Sequence, residues 1–130
     1  MKRARATHQE VEKAAIRVVT NHYTRRLGYD VKSVEREDRG WDLEAVFRQS
    51  KHYLEVKGLS GDGTAVELTP NEYKAMREKW SQFKVCVVTN ALTRRRTLRV
   101  FSCAKDRGGW RDADGDVLTI ERMSGARLHY

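Results

Sequence analysis

The chain has 130 residues, enough for one domain with a single modest core that needs no covalent staples. Its 26 Lys and Arg against 18 Asp and Glu give a net charge of +8, which fits a polyanionic partner, most often nucleic acid, or else a generically basic protein. The basic residues 1–7 are not followed by an apolar stretch of signal-peptide type, and no run reaches membrane-spanning length, so a soluble cytoplasmic protein without a membrane partner is expected.

Residues 7–27 carry a helical pattern. Val11, Ala15, Val18 and His22 follow one line, and Glu12, Ile16, Val19, Tyr23 and Leu27 follow its neighbour. Gly28 suits the position just past the helix end. Residues 29–36 read as a strand with Tyr29, Val31 and Ser33 on one face, and EDRG turns the chain. Residues 41–48 alternate again, placing Trp41, Leu43, Ala45 and Phe47 opposite Asp42, Glu44, Val46 and Arg48. RQSK turns the chain into residues 51–59, where Lys51, Tyr53, Glu55 and Lys57 lie opposite His52, Leu54 and Val56. The short link predicts an antiparallel hairpin.

SGDG is a flexible loop and TAVELT a short extended piece. In TPNE, Thr69 suits the N-cap, Pro70 the first helical position and Glu72 the third. This capping box predicts a helix to about residue 82, with Tyr73, Met76 and Trp80 facing inward. FKVCVVTN, residues 83–90, is almost continuously apolar and reads as a central strand buried on both faces. Cys86 within it reads as a small buried hydrophobe. With Cys103 it forms no CxxC or Cys/His cluster, which argues against zinc and for a reducing compartment. Residues 97–103 form a further strand, residues 104–116 are turn-rich, and DVLTIERM reads as a last short strand. The order predicts an α/β domain with a mixed central sheet flanked by helices, and there is no repeat or linker.

Asp42 and Glu55 fall on neighbouring strands with side chains toward one side, and Lys57 shares the face of Glu55. Two carboxylates converging beside the Val56 carbonyl make an all-oxygen site suited to Mg²⁺, with Mn²⁺ as a substitute. A metal there can acidify a bound water, and the lysine can position that water or neutralise a scissile phosphate. The competing reading is a surface ion-pair ladder on a half-exposed sheet.

The D-x12-E-x-K pattern resembles the motif of the PD-(D/E)XK nuclease superfamily, and the order helix, three strands, helix, strand matches its restriction-endonuclease-like core. GWDLEA, YLEVKGLSG, VELTPNEY and VCVVTNAL together resemble the C-terminal domain of the NO VEIN family, a nuclease-like module of that superfamily. The resemblance covers roughly residues 8–102 and leaves residues 103–130 as a C-terminal addition to one domain. It implies a metal-dependent endonuclease hydrolysing DNA phosphodiester bonds. Asp42 and Glu55 would be metal ligands and Lys57 the catalytic lysine, with Glu12 as the first-helix glutamate and Glu10 as its rival. Trp41 stands where the superfamily's name has Pro. Two other functions compete: a non-cleaving DNA-binding or helicase-associated module, and a Holliday-junction resolvase. A homodimer would suit cleavage of both strands, since two-fold symmetry pairs the sites. Similar domains are often fused to others, so a helicase or restriction-system partner is also implied.

Several residues carry two readings each. Glu12 also fits a helix-dipole carboxylate. Glu72 is explained by capping, although its turn can also approach the site. Glu44 reads as solvated. Gly40 and Gly58 either admit close approach to a metal or substrate or simply make turns. Lys74, Arg77, Lys79, Arg94, Arg95 and Arg96 either contact phosphates or form solvated faces. Lys2, Arg3 and Arg5 are either a nucleic-acid arm or a disordered end. Asp112, Asp114 and Asp116 fail the EF-hand pattern, because Val117 and Met123 stand where it needs Gly and Glu. Trp110 either stacks on a base or anchors a loop.

Overall fold

The computed structural model describes residues 7–104 and 108–130. The first helix, α1 (His8–Asn21), begins where Thr7 Oγ1 accepts from the Glu10 amide at 3.1 Å, an N-cap contact. It widens into a π-helical segment, His22–Arg26, and ends at Gly28, whose φ of 75° only glycine adopts without strain. The strands are β1 (Asp30–Ser33), β2 (Leu43–Phe47), β3 (Ser50–Gly58), β4 (Ala65–Leu68), β5 (Phe83–Thr89), β6 (Thr97–Cys103), β7 (Trp110–Arg111), β8 (Thr119–Arg122) and β9 (Ala126–His129). The second helix, α2 (Pro70–Glu78), carries the full capping box predicted from TPNE.

Six strands make the main sheet in the order β1-β2-β3-β5-β6-β7. β3 and β5 are parallel, and every other pair is antiparallel. A parallel pair needs a long crossover, and the segment carrying β4 and α2 supplies it. The second sheet, β4-β9-β8, is antiparallel. The molecule is therefore an α/β domain with a mixed sheet and helices on both faces.

The layers follow from the alternation of side chains along β5. Cys86 and Val88 join Val11, Ala15 and Val19 of α1 on one face. Phe83, Val85 and Val87 join Met76 of α2 and Ala126 and Leu128 of β9 on the other. This two-sided burial accounts for the apolar run of residues 83–90.

Four local expectations need correction. First, α2 ends at Glu78 rather than near residue 82. Lys79 leaves helical geometry, and the Gln82 and Phe83 amides both donate back to its carbonyl, at 2.9 and 2.8 Å. That turn throws Phe83 into the core and leaves Trp80 exposed rather than inward. Second, the first strand stops at Ser33, because a 3-10 turn over Glu35–Glu37 follows. Third, Trp41 does not share a face with Leu43 and Ala45. The chain bends before β2, and Trp41 packs on Tyr53, with ring centroids 4.4 Å apart. Fourth, DVLTIERM is not the last strand. β9 follows it and is the middle strand of the small sheet.

Trp110 is buried edge-on against Phe83, so it is a core anchor and not a base platform. Cys86 is buried and both cysteines are free. Lys2, Arg3 and Arg5 lie outside the described residues. Among the described residues, no helix is long and apolar enough to cross a membrane.

Candidate active site

β2 starts one residue after Asp42, so the Asp42 side chain lies where the β2–β3 ladder runs out. Its amide still donates to the Leu54 carbonyl at 2.9 Å, and its Oδ2 accepts from the Val56 amide at 2.8 Å. A strand residue directs its N–H and C=O to the same side. The Val56 carbonyl therefore faces the edge that Asp42 occupies.

Glu55 lies on the other pleat face of β3 from Leu54 and Val56, beneath α2 and the small sheet. It is only 1% exposed, and its Oε2 has no hydrogen-bond partner among the described residues. Lys57, two residues on, sits with Nζ 3.7 Å from Glu55 Oε1 and 2.9 Å from Glu72 Oε1. Glu72 Oε1 also accepts from the Thr69 amide at 2.9 Å as part of the capping box. One carboxylate thus caps α2 and holds the lysine, so both readings of Glu72 are true.

The electrostatics are unbalanced. Burial pushes the Glu55 carboxyl well above the usual carboxylate range, and the nearby Asp42 and Glu72 carboxylates push it further than Lys57 can offset. Burial also raises Asp42, against the opposing hydrogen bond from the Val56 amide. Burial works against the Lys57 ammonium, but the Glu55 and Glu72 carboxylates outweigh it and hold its pKa above normal. Lys57 therefore stays charged, but its one ammonium, shared with Glu72, does not balance the Asp42–Glu55 pair.

A cleft of about 700 Å³ opens over this group. Glu12 and Ile16 of α1 form part of one wall, and Met123, Gly125 and Arg127 of the C-terminal hairpin form part of another. Among the described residues, no three His, Cys, Asp or Glu side chains gather as a metal-binding group. The donor set here is two carboxyls and one peptide carbonyl. The buried, unpartnered Glu55 oxygen beside a second carboxyl with a raised pKa fits a hard divalent cation, which keeps several waters of its own.

The chain matches the family model described as Protein NO VEIN, C-terminal, over residues 3–101. It belongs to the NO VEIN C-terminal family. No curated protein and no solved structure matches it. The matched segment contains Asp42, Glu55, Lys57 and Glu72, while the cleft wall from Met123 to Arg127 lies beyond it.

Within this NO VEIN C-terminal domain the other expected site residues separate. Glu12 lines the cleft, yet it is exposed and 2.9 Å from His8 Nε2 at the first turn of α1. Glu10, its rival, does not line the cleft. Lys74 and Arg77 of α2, and Lys79 just past its end, do not line the cleft. Lys74 lies 3.9 Å from Glu78, while Arg77 and Lys79 lie over the Tyr73 and Tyr53 rings. Arg94, Arg95 and Arg96 are exposed on the β5–β6 connection and do not reach it either.

Glu44 is buried rather than solvated. Arg39, Lys51 and the Trp41 indole all lie within 3.1 Å of its carboxylate, and together they outweigh burial and hold its pKa below the usual range. Gly40 and Gly58 serve helix packing. A Cβ on Gly40 would meet Ala75 Cβ at 2.8 Å, and one on Gly58 would meet Ala15 Cβ at 2.8 Å. Asp112 folds its own loop by accepting from the amides of Asp114 and Asp116.

Sequence reasoning missed Met123, Gly125 and Arg127 as cleft residues. Their placement depends on β9 pairing with β4 across some sixty positions, from Leu68↔Ala126 to Ala65↔His129, and no local motif signals that pairing.

Proposed function

We propose that this domain is a metal-dependent endonuclease acting on DNA, with a PD-(D/E)XK-type core. The observation that carries the reading is Glu55, buried and unpartnered at Oε2 beside Asp42 and the Val56 peptide, with Lys57 on the same face. The observed order of helix, three main-sheet strands, the small-sheet strand β4, helix and strand, with β3 and β5 parallel, supports it.

Asp42, Glu55 and the Val56 carbonyl would hold Mg²⁺ or Mn²⁺. When bound, the ion supplies positive charge for the phosphate oxygens and a more acidic water. Lys57 presents a permanent ammonium to the scissile phosphate, which offsets the charge that builds up there. Glu72 fixes where that ammonium stands. Asp42 and Glu55, once ionised, keep the cleft floor acidic, so the substrate strand is held by Lys57 and the cleft wall. Arg127 stands on that wall 3.0 Å from Glu67, so a DNA phosphate must compete with that carboxylate for its guanidinium.

The test is cleavage of end-labelled duplex, single-stranded and four-way-junction DNA with Mg²⁺, Mn²⁺ or EDTA. Metal-dependent cutting that disappears in Asp42→Ala and Lys57→Ala is the expected result, and full activity in both variants overturns the reading. A junction-specific product would make the enzyme a resolvase.

One observation favours a second reading, a DNA-binding module that does not cut. Lys57 is already engaged by Glu72 at 2.9 Å, so a substrate phosphate must compete for it. Tight, salt-sensitive binding with no cleavage in any metal would select that reading.

A further inference from the structure

The C-terminal half of α1 and the edge of β6 enclose a second cleft, of about 790 Å³. No residue lines both clefts. The floor is apolar, formed by Ala14 and Val18 of α1 against Leu98 and Val100 of β6. Arg17, Asn21 and Arg25 are spaced four residues apart and so share one line down the helix. At 1.5 Å per residue in α1, and less in the π-helical segment that carries Arg25, that line is at most about 12 Å long. Arg26 and Arg96 stand on the rim.

These arginines are not neutralised locally. The arginine ion pairs among the described residues belong to Arg39, Arg99 and Arg127, not to Arg17, Arg25, Arg26 or Arg96. Arg99 is tied to Asp112 at 2.9 Å and to Asp116 at 2.6 Å. Of the two carboxylates that line this cleft, that leaves Asp114, exposed on the far wall, without an ion pair among the described residues.

We propose that this cleft binds a single nucleic-acid strand, independently of the carboxylate site. Guanidinium forks match phosphate oxygens bidentately, and Arg17 and Arg25, at the two ends of that line, can engage different phosphates. The apolar floor and the partly buried His22 ring offer faces on which bases can lie. A duplex keeps its base faces stacked inside and would leave that floor unused. A purely acidic peptide such as polyglutamate has no flat faces to place on it. Asp114 repels phosphates and accepts from exocyclic amino groups, so the sugar-phosphate backbone runs along α1 and base edges point to the 112–114 wall.

The experiment is fluorescence anisotropy with a labelled single-stranded oligonucleotide about 12 nucleotides long, more than enough to span the cleft. It runs in EDTA over a salt series, so the result does not depend on cleavage. The triple variant Arg17→Gln, Arg25→Gln, Arg96→Gln should bind at least ~10-fold more weakly, with a salt slope shallower by about 2, since each lost phosphate contact removes about 0.7. Bromouracil-substituted strands should crosslink to wild-type residues between 14 and 26 or between 96 and 100, a readout that needs no variant. Unchanged affinity and slope in the triple variant overturns the proposal. So does tighter binding of duplex than of strand, displacement by polyglutamate at equal charge, or crosslinking confined to the Asp42–Glu55 cleft.

Discussion

Lys57 Nζ and the Thr69 amide both donate to a single oxygen, Glu72 Oε1, each at 2.9 Å. The start of α2 and the position of the site lysine are therefore one structural unit. Replacing Glu72 by Ala removes both contacts and should cost about 1–2 kcal/mol, read from urea unfolding. Glu72→Gln can keep the cap but not the charge, so it should retain most of the stability. If the proposed chemistry holds, loosening Lys57 should lower kcat by up to about 100-fold in both variants.

Glu72 also sets an acid limit. Burial works against its charged form, but the Thr69 amide and Lys57 win and hold its pKa below normal. A depressed carboxylate contributes stability above its unfolded pKa, and that contribution disappears as pH falls through the folded value. Thermal melts below about pH 4.3, the ordinary Glu value, should fall more steeply for wild type than for Glu72→Gln.

Glu55 has the opposite sign. Its folded pKa is raised by burial and by Asp42 and Glu72, so its stabilising contribution is full below the unfolded value and lost as pH rises. Metal-free Glu55→Gln should therefore melt higher than wild type at pH 7, and the difference should vanish near pH 4. Mg²⁺ or Mn²⁺ should raise the Tm of wild type through binding to the native state and leave that of Glu55→Gln unchanged. A wild-type Tm that no divalent cation moves would remove the metal site from the proposal.

Gly58 ends β3 where α1 crosses it. A methyl group there would meet Ala15 Cβ at 2.8 Å and the Val11 carbonyl oxygen at 3.0 Å, and the backbone contact cannot yield by rotating a side chain. Gly58→Ala should cost about 1–3 kcal/mol by overpacking. Chemical denaturation measures this directly, and a loss under 0.5 kcal/mol, a value ordinary for surface changes, would mean that α1 is free to shift.

Residues 119–130 form β8 and β9, and Ala126 and Leu128 are fully buried against the core. Ending the chain after Leu118 would leave β4 unpaired on this side and uncover Phe101 and Val66. The truncated protein should lose its cooperative melt and its near-UV circular dichroism. A stable truncated domain would instead show that the segment matched by the family folds without its C-terminal hairpin.

By itself the sequence determined whatever has a short range. The capping box at Thr69 and Glu72, the stop at Gly28, the hairpin between β2 and β3 and the two-sided burial of β5 are written in neighbouring residues, because caps, turns and pleat alternation act over a few positions. The common face of Glu55 and Lys57 was legible for the same reason. Tertiary structure decided which distant groups meet. Only the fold brings Glu72 to Lys57, buries Glu44 among Arg39, Lys51 and Trp41, sets β9 beside β4 and gathers Arg17, Arg25 and Arg96 around one cleft. These contacts depend on sheet order and crossover, and a periodic pattern carries no information about which strand will be its neighbour.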